Sequence, residues 1–592
     1  MMPPLLDRHV TMPSNSPFKA SRMQHMAPFR RWILLSVSLL SACAAAEVSK
    51  GVAINPNAPR LETNGAPGAF LAGKHAVAAG DMGLATDLFL RGLRADPGNP
   101  DIEQQAFQAA LLAGRGEATD LARRLPGDLA AQLVLGNTEA KAGNWSAAQN
   151  RFSGLVRQGM TQLLQPMLVA WSQQGAGQTD AALATLKPLV EAQQFRAVFA
   201  LHSALIADLA GRDQEASRLY RIAEAGFNGT NLQLARELAS WQARQGRLPE
   251  AQQSLNKLMQ VSGELAVALP ALYSKSAERQ VRNALDGMAE TYLALAGGLR
   301  GQDGGDLALV LLRLSLDLRP DLTAARLLSA DILDSSHRTQ AAIAVLQPVA
   351  DSDPLMPVAR LRQAAMLEQT GDSKAALAVL DQIAKALPDR PEPLAMRGDI
   401  LRGQKRFAEA VTAYDQAVAL VAHPDRSNWP LFYERGIALE RSQNWPRAEA
   451  DFQHALQLSP DEPLVLNYLG YSWTEQGIKL PQARRMIERA VELRPNDGAI
   501  IDSLGWVVFR QGDTAASVKL LERAVELTPS DSTVNLHLGD AYWAAGRKLE
   551  AQFQWRRALT LEPDPDDVPK LQAKLRESEQ ALGNVAAPKT TP

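Results

Sequence analysis

Apolar and small residues recur along the chain with the spacing of two short helices joined by a turn. In a representative block, relative positions 0, 3, 4 and 7 of the first helix are occupied by Ile501, Leu504, Gly505 and Val508. After a turn at Gly512, relative positions 0, 4 and 7 of the second helix are occupied by Ser517, Leu521 and Ala524. Because Gly505 leaves room for the bulky Leu521, the pattern predicts two helices that pack closely.

This block repeats along most of the chain. In the C-terminal half, the prolines that close the blocks are 34 to 36 residues apart, at Pro320, Pro354, Pro388, Pro424, Pro460, Pro495, Pro529 and Pro563. Upstream, the turn glycines keep the same register, at Gly80, Gly114, Gly143, Gly177, Gly211 and Gly246. The block at Gly114 is degenerate, since Arg123 stands where a bulky residue is expected. The period indicates internal repeats, fourteen in all.

The repeats divide the chain into predicted regions. We expect six repeats over residues 66–265, an irregular helical joint over 266–288, eight repeats over 289–565, a capping helix over 566–583 and a disordered tail over 584–592.

The block ending at Pro529 resembles the tetratricopeptide repeat, through Leu504-Gly505, Gly512, Leu521 and Ala524. The resemblance implies an all-α fold, a right-handed superhelix or α-solenoid of helix–turn–helix repeats. It also implies a concave surface lined by the first helices, because each repeat contacts only its neighbours in such a stack.

Residues 27–43, APFRRWILLSVSLLSAC, have the organisation of an export signal. Two arginines precede an apolar run of about nine residues, well short of the roughly 20 that a membrane-spanning helix needs. The end of this segment, Leu40-Ser41-Ala42-Cys43, resembles the bacterial lipobox. That resemblance implies cleavage between Ala42 and Cys43 and attachment of lipid to Cys43. An ordinary secretory signal with a chance cysteine is the alternative.

We therefore predict a signal peptide over residues 1–42, with the true start at Met26, and a lipidated flexible tether over 43–65. Several acyl chains on one cysteine would anchor the protein stably, whereas a single chain holds only marginally. Ala44 rather than an aspartate follows the cysteine. By resemblance to sorted lipoproteins, this favours the outer membrane, with the chain facing the periplasm.

Composition and charge reduce the number of functions that are expected for this chain. The 62 Lys and Arg residues nearly balance the 64 Asp and Glu residues, and removal of residues 1–42 leaves 57 bases against 63 acids. Since there is no basic excess, binding of nucleic acid is not expected. The single cysteine, Cys43, can supply neither an internal disulfide nor a multi-cysteine metal site.

No catalytic or cofactor motif is recognisable. No two of the six histidines after residue 42 lie within 20 residues of each other, so zinc-type spacing is missing. The glycines between 297 and 305 lack the preceding strand and the lysine of a phosphate loop. We expect no catalytic residue, no metal and no cofactor, and we interpret His454 and His537 as solvated or capped side chains in repeat helices.

A candidate partner-binding groove follows from the residues next to the core stripe of the first helices. It comprises Tyr433, Asn467, Tyr471, Asp502, Trp506, Phe509, Asp540 and Trp543. Two interpretations are open: the aromatic residues bind an extended or helical peptide, or they pack on an adjacent helix. Trp473 and Tyr542 fall on the core stripe and are interpreted as packing residues. The acidic residues argue against the carboxylate clamp of chaperone-binding members of the family.

Residues 467–473, NYLGYSW, and 502–513, DSLGWVVFRQGD, resemble outer-membrane repeat lipoproteins, one of which partners a periplasmic carboxyl-terminal processing protease. The first hypothesis is a lipid-anchored scaffold that binds a protein or peptide partner, possible partners including such a protease. The second is an assembly factor for exopolysaccharide export or an envelope complex. The third is an enzyme with a site built across repeats. No small-molecule substrate is expected.

Overall fold

The computed structural model describes residues 65–192, 194–227, 231–260, 263–299 and 304–586, and within these ranges the chain is helical and contains no β-strand. The predicted signal peptide, the tether, Ala42 and Cys43 lie outside the described residues, as do residues 587–592 of the predicted tail. The prediction of an all-α fold built from helix pairs is confirmed.

The chain divides into two compact units, one comprising residues 55–393 (the N-terminal unit) and the other containing residues 394–592 (the C-terminal unit). The helices of the N-terminal unit are α1 (Ala66–Ala78), α2 (Met82–Ala95), α3 (Pro100–Ala113), α4 (Glu117–Ala122), α5 (Leu129–Lys141), α6 (Trp145–Ser153), α7 (Thr161–Gly175), α8 (Thr179–Glu191), α9 (Arg196–Leu209), α10 (Asp213–Gly226), α11 (Leu232–Arg244), α12 (Leu248–Asn256), α13 (Leu269–Ser274), α14 (Ala284–Gly298), α15 (Gly305–Leu318), α16 (Thr323–Ser335), α17 (Thr339–Leu346), α18 (Met356–Gln369) and α19 (Ser373–Ala386).

The C-terminal unit begins within α20. Its helices are α20 (Glu392–Gly403), α21 (Phe407–Ala419), α22 (Trp429–Arg441), α23 (Trp445–Leu458), α24 (Pro463–Glu475), α25 (Leu480–Leu493), α26 (Gly498–Arg510), α27 (Thr514–Leu527), α28 (Ser532–Ala544), α29 (Lys548–Thr560) and α30 (Val568–Ala586). Except for α13 and α30, consecutive helices of the described residues form fourteen pairs.

Glycine makes the close approach within a pair possible. A Cβ atom added to Gly505 in α26 would lie 2.7 Å from the side chain of Leu521 in α27, and one added to Gly539 in α28 would lie 2.5 Å from that of Trp555 in α29. The large residue of the second helix therefore fills the space that the glycine leaves. The packed side of these two first helices is fixed in this way, and the opposite side of each faces away from its own partner.

The irregular segment between the sixth and seventh pairs spans residues 257–283 and contains two 3₁₀ turns and α13. Helix α14 begins at Ala284, earlier than the predicted 289, because the Asn283 side chain caps it by accepting a hydrogen bond from the Asp286 N–H. Glu264 of this segment accepts a 2.7 Å hydrogen bond from Arg362 of α18, so the segment is fixed to a later pair of the same unit.

The seventh pair of helices packs on earlier pairs that are not its neighbours in the chain. Helix α14 contacts α7 and α9, and α15 contacts α3 and α5; these four are the first helices of the second to fifth pairs. The Tyr292 hydroxyl donates a buried 2.9 Å hydrogen bond to Asn137, and Gly287 sits directly against the ring of Trp171. The first-helix side of these four pairs is thus covered from within the N-terminal unit.

Helix α30 follows the last pair and packs on α29. It continues to Ala586, past the predicted end at 583, so Gly583 does not stop the helix; a glycine inside a helix costs only about 1 kcal/mol. In the part of the chain that the structure describes, no helix combines the length and the apolar character that crossing a membrane requires.

Candidate functional site

The eight predicted groove residues lie on the first helices of four consecutive pairs in the C-terminal unit, α22, α24, α26 and α28. Helix α24 packs on α26, and α26 packs on α28. We call the side of these four helices that carries the eight residues the first-helix face. The glycines on which the second helices pack occupy equivalent positions in the four first helices: Gly436, Gly470, Gly505 and Gly539.

The eight residues differ in how much surface they retain. Asp502 and Trp506 are only 4% and 9% exposed. The other six are half-buried and therefore present surface to a partner: Tyr433, Asn467, Tyr471, Phe509, Asp540 and Trp543. The structure thus brings all eight onto successive helices, but it encloses the two central ones.

Asp502 is enclosed because it pairs with a histidine of the next first helix. The Nδ1 atom of His537 in α28 lies 2.9 Å from an Asp502 carboxylate oxygen, and His537 is itself only 5% exposed. The second carboxylate oxygen of Asp502 is buried, with no hydrogen-bond partner in the described part of the chain. The interpretation of His537 as a solvated or capped side chain is therefore wrong; its cross-helix carboxylate keeps it buried.

Trp506 is held between three helices. Its ring stacks on His537 with centroids 4.1 Å apart and an interplanar angle of 11°, and its Nε1 donates a 2.5 Å hydrogen bond to Glu475 at the end of α24. Phe509, one turn further along α26, stacks on the same indole at 5.1 Å. Of the two interpretations, partner binding and packing on an adjacent helix, the second therefore applies to Trp506 within this unit.

Opposing effects set the protonation of His537. Burial lowers the pKa of His537, because a charge is costly away from water, but the negative charge and hydrogen bond of Asp502 raise it, helped by Asp540 and Glu475. The net result is a pKa above the ordinary value for histidine. His537, at the centre of the first-helix face, therefore keeps its proton to a higher pH than an ordinary histidine does.

Tyr471 extends over the same region from α24. Its ring centroid is 6.2 Å from that of His537. Burial raises the pKa of the Tyr471 hydroxyl, and the negative charges of Glu475, Asp502 and Asp567 raise it further. The hydroxyl stays protonated and is available as a hydrogen-bond donor beside an acidic surface.

Asp540 and Trp543 lie at the C-terminal end of the face. Asp540 accepts a 2.9 Å hydrogen bond from Nε1 of Trp555 and pairs with Lys574 of α30 at 2.8 Å, so much of its hydrogen-bonding capacity is used within the unit. The ring of Trp543 is 5.5 Å from that of Trp555 and keeps part of its surface exposed. Of these two, Trp543 is the better placed to contact a partner.

Tyr433 and Asn467 lie at the N-terminal end of the face. The Tyr433 ring packs 5.8 Å from that of Tyr468, which itself donates a hydrogen bond to Glu440. Asn467 is half-buried, and its side-chain oxygen is buried with no partner among the described residues. This end of the face therefore offers aromatic surface, whereas the unpaired side-chain oxygen of Asn467 is enclosed.

An ionisable group that the sequence did not single out lies next to Tyr433. Glu434 of α22 pairs with Arg402 of α20 at 2.8 Å. Burial raises the pKa of Glu434 to about 7; Arg402 opposes this shift and Asp399 adds to it. The sequence contains a partial signal for this pair, because Asp399 and Arg402 share one face of α20. It does not show that Glu434, 32 residues after Arg402, is the partner of that arginine.

The first-helix face presents a limited set of chemical groups. Its half-buried members offer aromatic surface, two tyrosine hydroxyls, one amide and one carboxylate, that of Asp540, which already has partners. Within the described ranges, no cluster of three His, Cys, Asp or Glu side chains is arranged to hold a metal ion.

Two family models match the C-terminal part of the chain. A tetratricopeptide repeat-like domain matches residues 321–428, and a tetratricopeptide repeat model matches residues 395–463, 433–498 and 503–568. These matches cover the Arg402–Glu434 pair and every residue of the first-helix face except Asp502.

Two curated proteins are similar over short stretches. Human tetratricopeptide repeat protein 13 is 31% identical over 91 residues, which make up 15% of this chain and 10% of the human protein. A tetratricopeptide repeat-containing protein of Pseudomonas aeruginosa is 28% identical over 96 residues, 16% of each chain. The chain thus spans between a tenth and a sixth of the length of these relatives.

Solved structures with related helical architecture have low sequence identity to this chain. The Cut9–Hcn1 hetero-tetramer of the APC/C aligns with 86% of this chain and 95% of that chain at 16% identity and a TM-score of 0.37. Yeast Tom70 aligns with 88% and 97% at 14% identity and a TM-score of 0.33. YrrB, described as having an unusual peptide-binding site, aligns with 34% and 97% at 17% identity and a TM-score of 0.27.

Proposed function

We propose that this chain, whose residues 321–498 and 503–568 match tetratricopeptide repeat models, is a lipid-anchored scaffold that binds a partner polypeptide on the first-helix face of its C-terminal unit. Tetratricopeptide repeats are typical of protein–protein interaction scaffolds, which supports the class of function. The site and the anchor are the more specific parts of the proposal.

One observation carries the choice of site. In the N-terminal unit, the first helices of the second to fifth pairs are covered by α14 and α15, whereas four aromatic residues of the first-helix face in the C-terminal unit keep exposed surface. These residues are Tyr433, Tyr471, Phe509 and Trp543. Aromatic side chains bury a large area at low cost in conformational entropy, so they are effective anchors at interfaces.

The half-buried residues suggest how a partner would be held. Apolar side chains of an extended or helical segment would pack on Tyr471, Phe509 and Trp543, where burial supplies most of the affinity. The Tyr471 hydroxyl would donate a hydrogen bond to a backbone carbonyl of the partner. His537, Asp502 and Trp506 would act beneath this layer by holding α26 against α28.

The proposed location rests on residues 27–43. Two arginines, a short apolar run and the Leu40-Ser41-Ala42-Cys43 ending support export and lipid attachment at Cys43, and Ala44 supports sorting to the outer membrane with the repeats in the periplasm. The resemblance of residues 467–473 and 502–513 to outer-membrane repeat lipoproteins makes a carboxyl-terminal processing protease a candidate partner.

The test is capture of a partner by the lipidated protein from its own envelope, followed by mass spectrometry. A partner retained by the unchanged protein should be lost from the double variant Tyr471→Ala with Trp543→Ala. Phe553→Ala is the matched control, because this phenylalanine is 62% exposed on α29, away from the face. Equal capture by the double variant would show that the partner binds elsewhere.

A separate measurement tests the anchor. Cys43→Ala should abolish incorporation of radiolabelled palmitate and leave unprocessed or soluble protein. Labelling of that variant to the normal level would reject Cys43 as the lipid-attachment site, while leaving the proposed binding face untouched.

A further inference from the structure

A surface crevice lies between α24 and α25, on a side of α24 other than the first-helix face. Its volume is about 310 Å³, and it is lined by Leu466, Trp473, Gln482, Arg485, Met486 and Arg489. Leu466 and Trp473 are seven residues apart and therefore share one side of α24, whereas Tyr471 points from another. The crevice is thus distinct from the surface to which the proposed function is assigned.

The floor of the crevice is apolar and largely buried. Leu466 and Trp473 are 7% and 6% exposed, so only their crevice-facing surface is accessible. The polar edge of Trp473 is already satisfied, because its Nε1 donates a 2.9 Å hydrogen bond to Glu449, and the Lys479 ammonium lies 4.5 Å from the centre of its ring. The part of the floor that stays accessible is apolar and therefore suits an apolar side chain.

The rim carries positive charge that is only partly neutralised. Arg489 is held by Asp461 at 2.9 Å and by Glu492 at 2.8 Å. Arg485 is exposed, and in the part of the chain that the structure describes no carboxylate lies within ion-pair distance of its guanidinium. One guanidinium at the mouth of an apolar crevice is therefore free to pair with an incoming carboxylate.

An irregularity of the repeat accompanies the crevice. The turn between α24 and α25 has four residues, 476–479, whereas the turns between α22 and α23, α26 and α27, and α28 and α29 have three. Both Gly477 and Lys479 adopt left-handed backbone conformations, with φ of 68° and 49°. The extra residue matches the spacing of 35 between Pro460 and Pro495, and Lys479, the residue at the end of this turn, covers one side of Trp473.

We propose that this crevice is a second docking site, which takes an apolar side chain of a partner polypeptide while an adjacent aspartate or glutamate of the same segment pairs with Arg485. The volume is at the lower end of the range for ligand pockets, roughly 300 Å³, and suits one large side chain. Because the crevice opens broadly onto the surface, the segment runs across it and continues on both sides. The occupant is an internal acidic–apolar segment, not a chain end.

The test uses the full-length protein and a fluorescein-labelled, C-terminally amidated peptide with a central Glu-Phe-Glu sequence, followed by fluorescence anisotropy. Matched peptides carry Gln-Phe-Gln or Glu-Ala-Glu instead. We expect saturable binding of the first peptide, about tenfold weaker binding without the phenyl ring, and about fivefold weaker binding without the carboxylates, the upper range for an exposed ion pair.

Variants locate the site. Arg485→Gln should weaken Glu-Phe-Glu binding about fivefold and leave Gln-Phe-Gln binding unchanged. Lys519→Gln is the matched control, because Lys519 occupies the equivalent exposed position of α27, 34 residues further on, and does not line the crevice. Gln482→Trp should block the crevice. Each variant changes an exposed side chain, so its melting temperature should match that of the unchanged protein.

Several results would overturn the proposal. Equal affinity for the Glu-Phe-Glu and Gln-Phe-Gln peptides would remove the role of charge, and equal losses in Arg485→Gln and Lys519→Gln would show non-specific attraction. Tighter binding of a peptide whose only carboxylate is its own C-terminus would identify a chain end as the occupant. Absence of saturable binding by every peptide would reject the site. The double variant Tyr471→Ala with Trp543→Ala should bind the peptide normally, which separates this outcome from that of the proposed function.

Discussion

The imidazole of His537 and the carboxylate of Asp502 form a buried 2.9 Å hydrogen bond that joins the first helices of two successive repeats, α28 and α26. The bond fixes the ring of His537 parallel to the indole of Trp506. Three side chains that share the middle of the first-helix face are thereby occupied with one another, and the surface left for a partner is that of the surrounding aromatic residues.

This bond makes the C-terminal unit sensitive to pH. Because the pKa of His537 is raised in the folded state, its contribution to stability is complete below the ordinary histidine pKa of about 6.5 and is lost as pH rises through the folded-state value. We expect the melting temperature of the unchanged protein to exceed that of His537→Gln most at pH 6 and by a smaller margin at pH 9. Glu434 is present in both proteins, so its titration cancels in the difference. A margin that grows with pH would contradict this assignment.

Trp506 and Trp543 should behave differently when replaced by alanine. Trp506→Ala removes a buried ring and should lower the free energy of unfolding by roughly 3–5 kcal/mol. Trp543→Ala, at a half-buried position, should cost less stability but reduce partner capture more. Denaturant unfolding and co-purification, measured on both variants, provide the check. Loss of capture in Trp506→Ala at unchanged stability would assign that residue to direct binding instead.

Gly505 is needed for the packing of one helix pair. In Gly505→Leu the new side chain would overlap Leu521, since even a Cβ atom lies 2.7 Å from it, and we expect the unit to lose roughly 1–3 kcal/mol. Circular dichroism during urea unfolding measures the change. The control is Lys519→Leu, which changes an exposed helical position and should be nearly neutral. Gly512→Leu would not serve as a control, because Gly512 has a positive φ of 92°.

Tyr292 ties the seventh pair to the third. Tyr292→Phe removes the buried hydrogen bond to Asn137 and leaves the amide without this partner, which should cost roughly 1–3 kcal/mol. Tyr273→Phe, whose hydroxyl contacts Asn256 at an exposed position, should cost little. Thermal unfolding of the two variants distinguishes a buried bond from an exposed one, and equal effects would argue against the packing of α14 on the earlier pairs.

The helix pairs could be predicted because each depends on residues close in sequence. The match of Gly505 to Leu521, and of Gly539 to Trp555, is a relationship over 16 residues that the repeat period makes visible. His537 could not be placed in the same way. Its burial depends on Asp502 in another repeat, and a histidine in a helix carries no sign of which neighbour will face it.

Two other features could be found only in the structure, for similar reasons. The contact between Tyr292 and Asn137 joins residues 155 positions apart, and repeat spacing contains no information about such pairs. The crevice beside Trp473 could not be inferred from the spacing of 35 between Pro460 and Pro495, because other proline spacings reach 36. Trp473 was correctly placed on the core stripe, yet the part of its ring that remains accessible depends on the turn that precedes α25.

The packing of α14 and α15 on the first helices of the second to fifth pairs changes how the N-terminal unit should fold. A stack whose repeats contact only their neighbours can lose its ends one repeat at a time and tolerates deletion of a repeat. Here, contacts between distant segments join the pairs into one cooperative unit, so unfolding is expected in a single transition. Folding should also be slow for a helical protein, because a long loop must close before these contacts form. The unit cannot be shortened one repeat at a time without exposing the surface that α14 and α15 now cover.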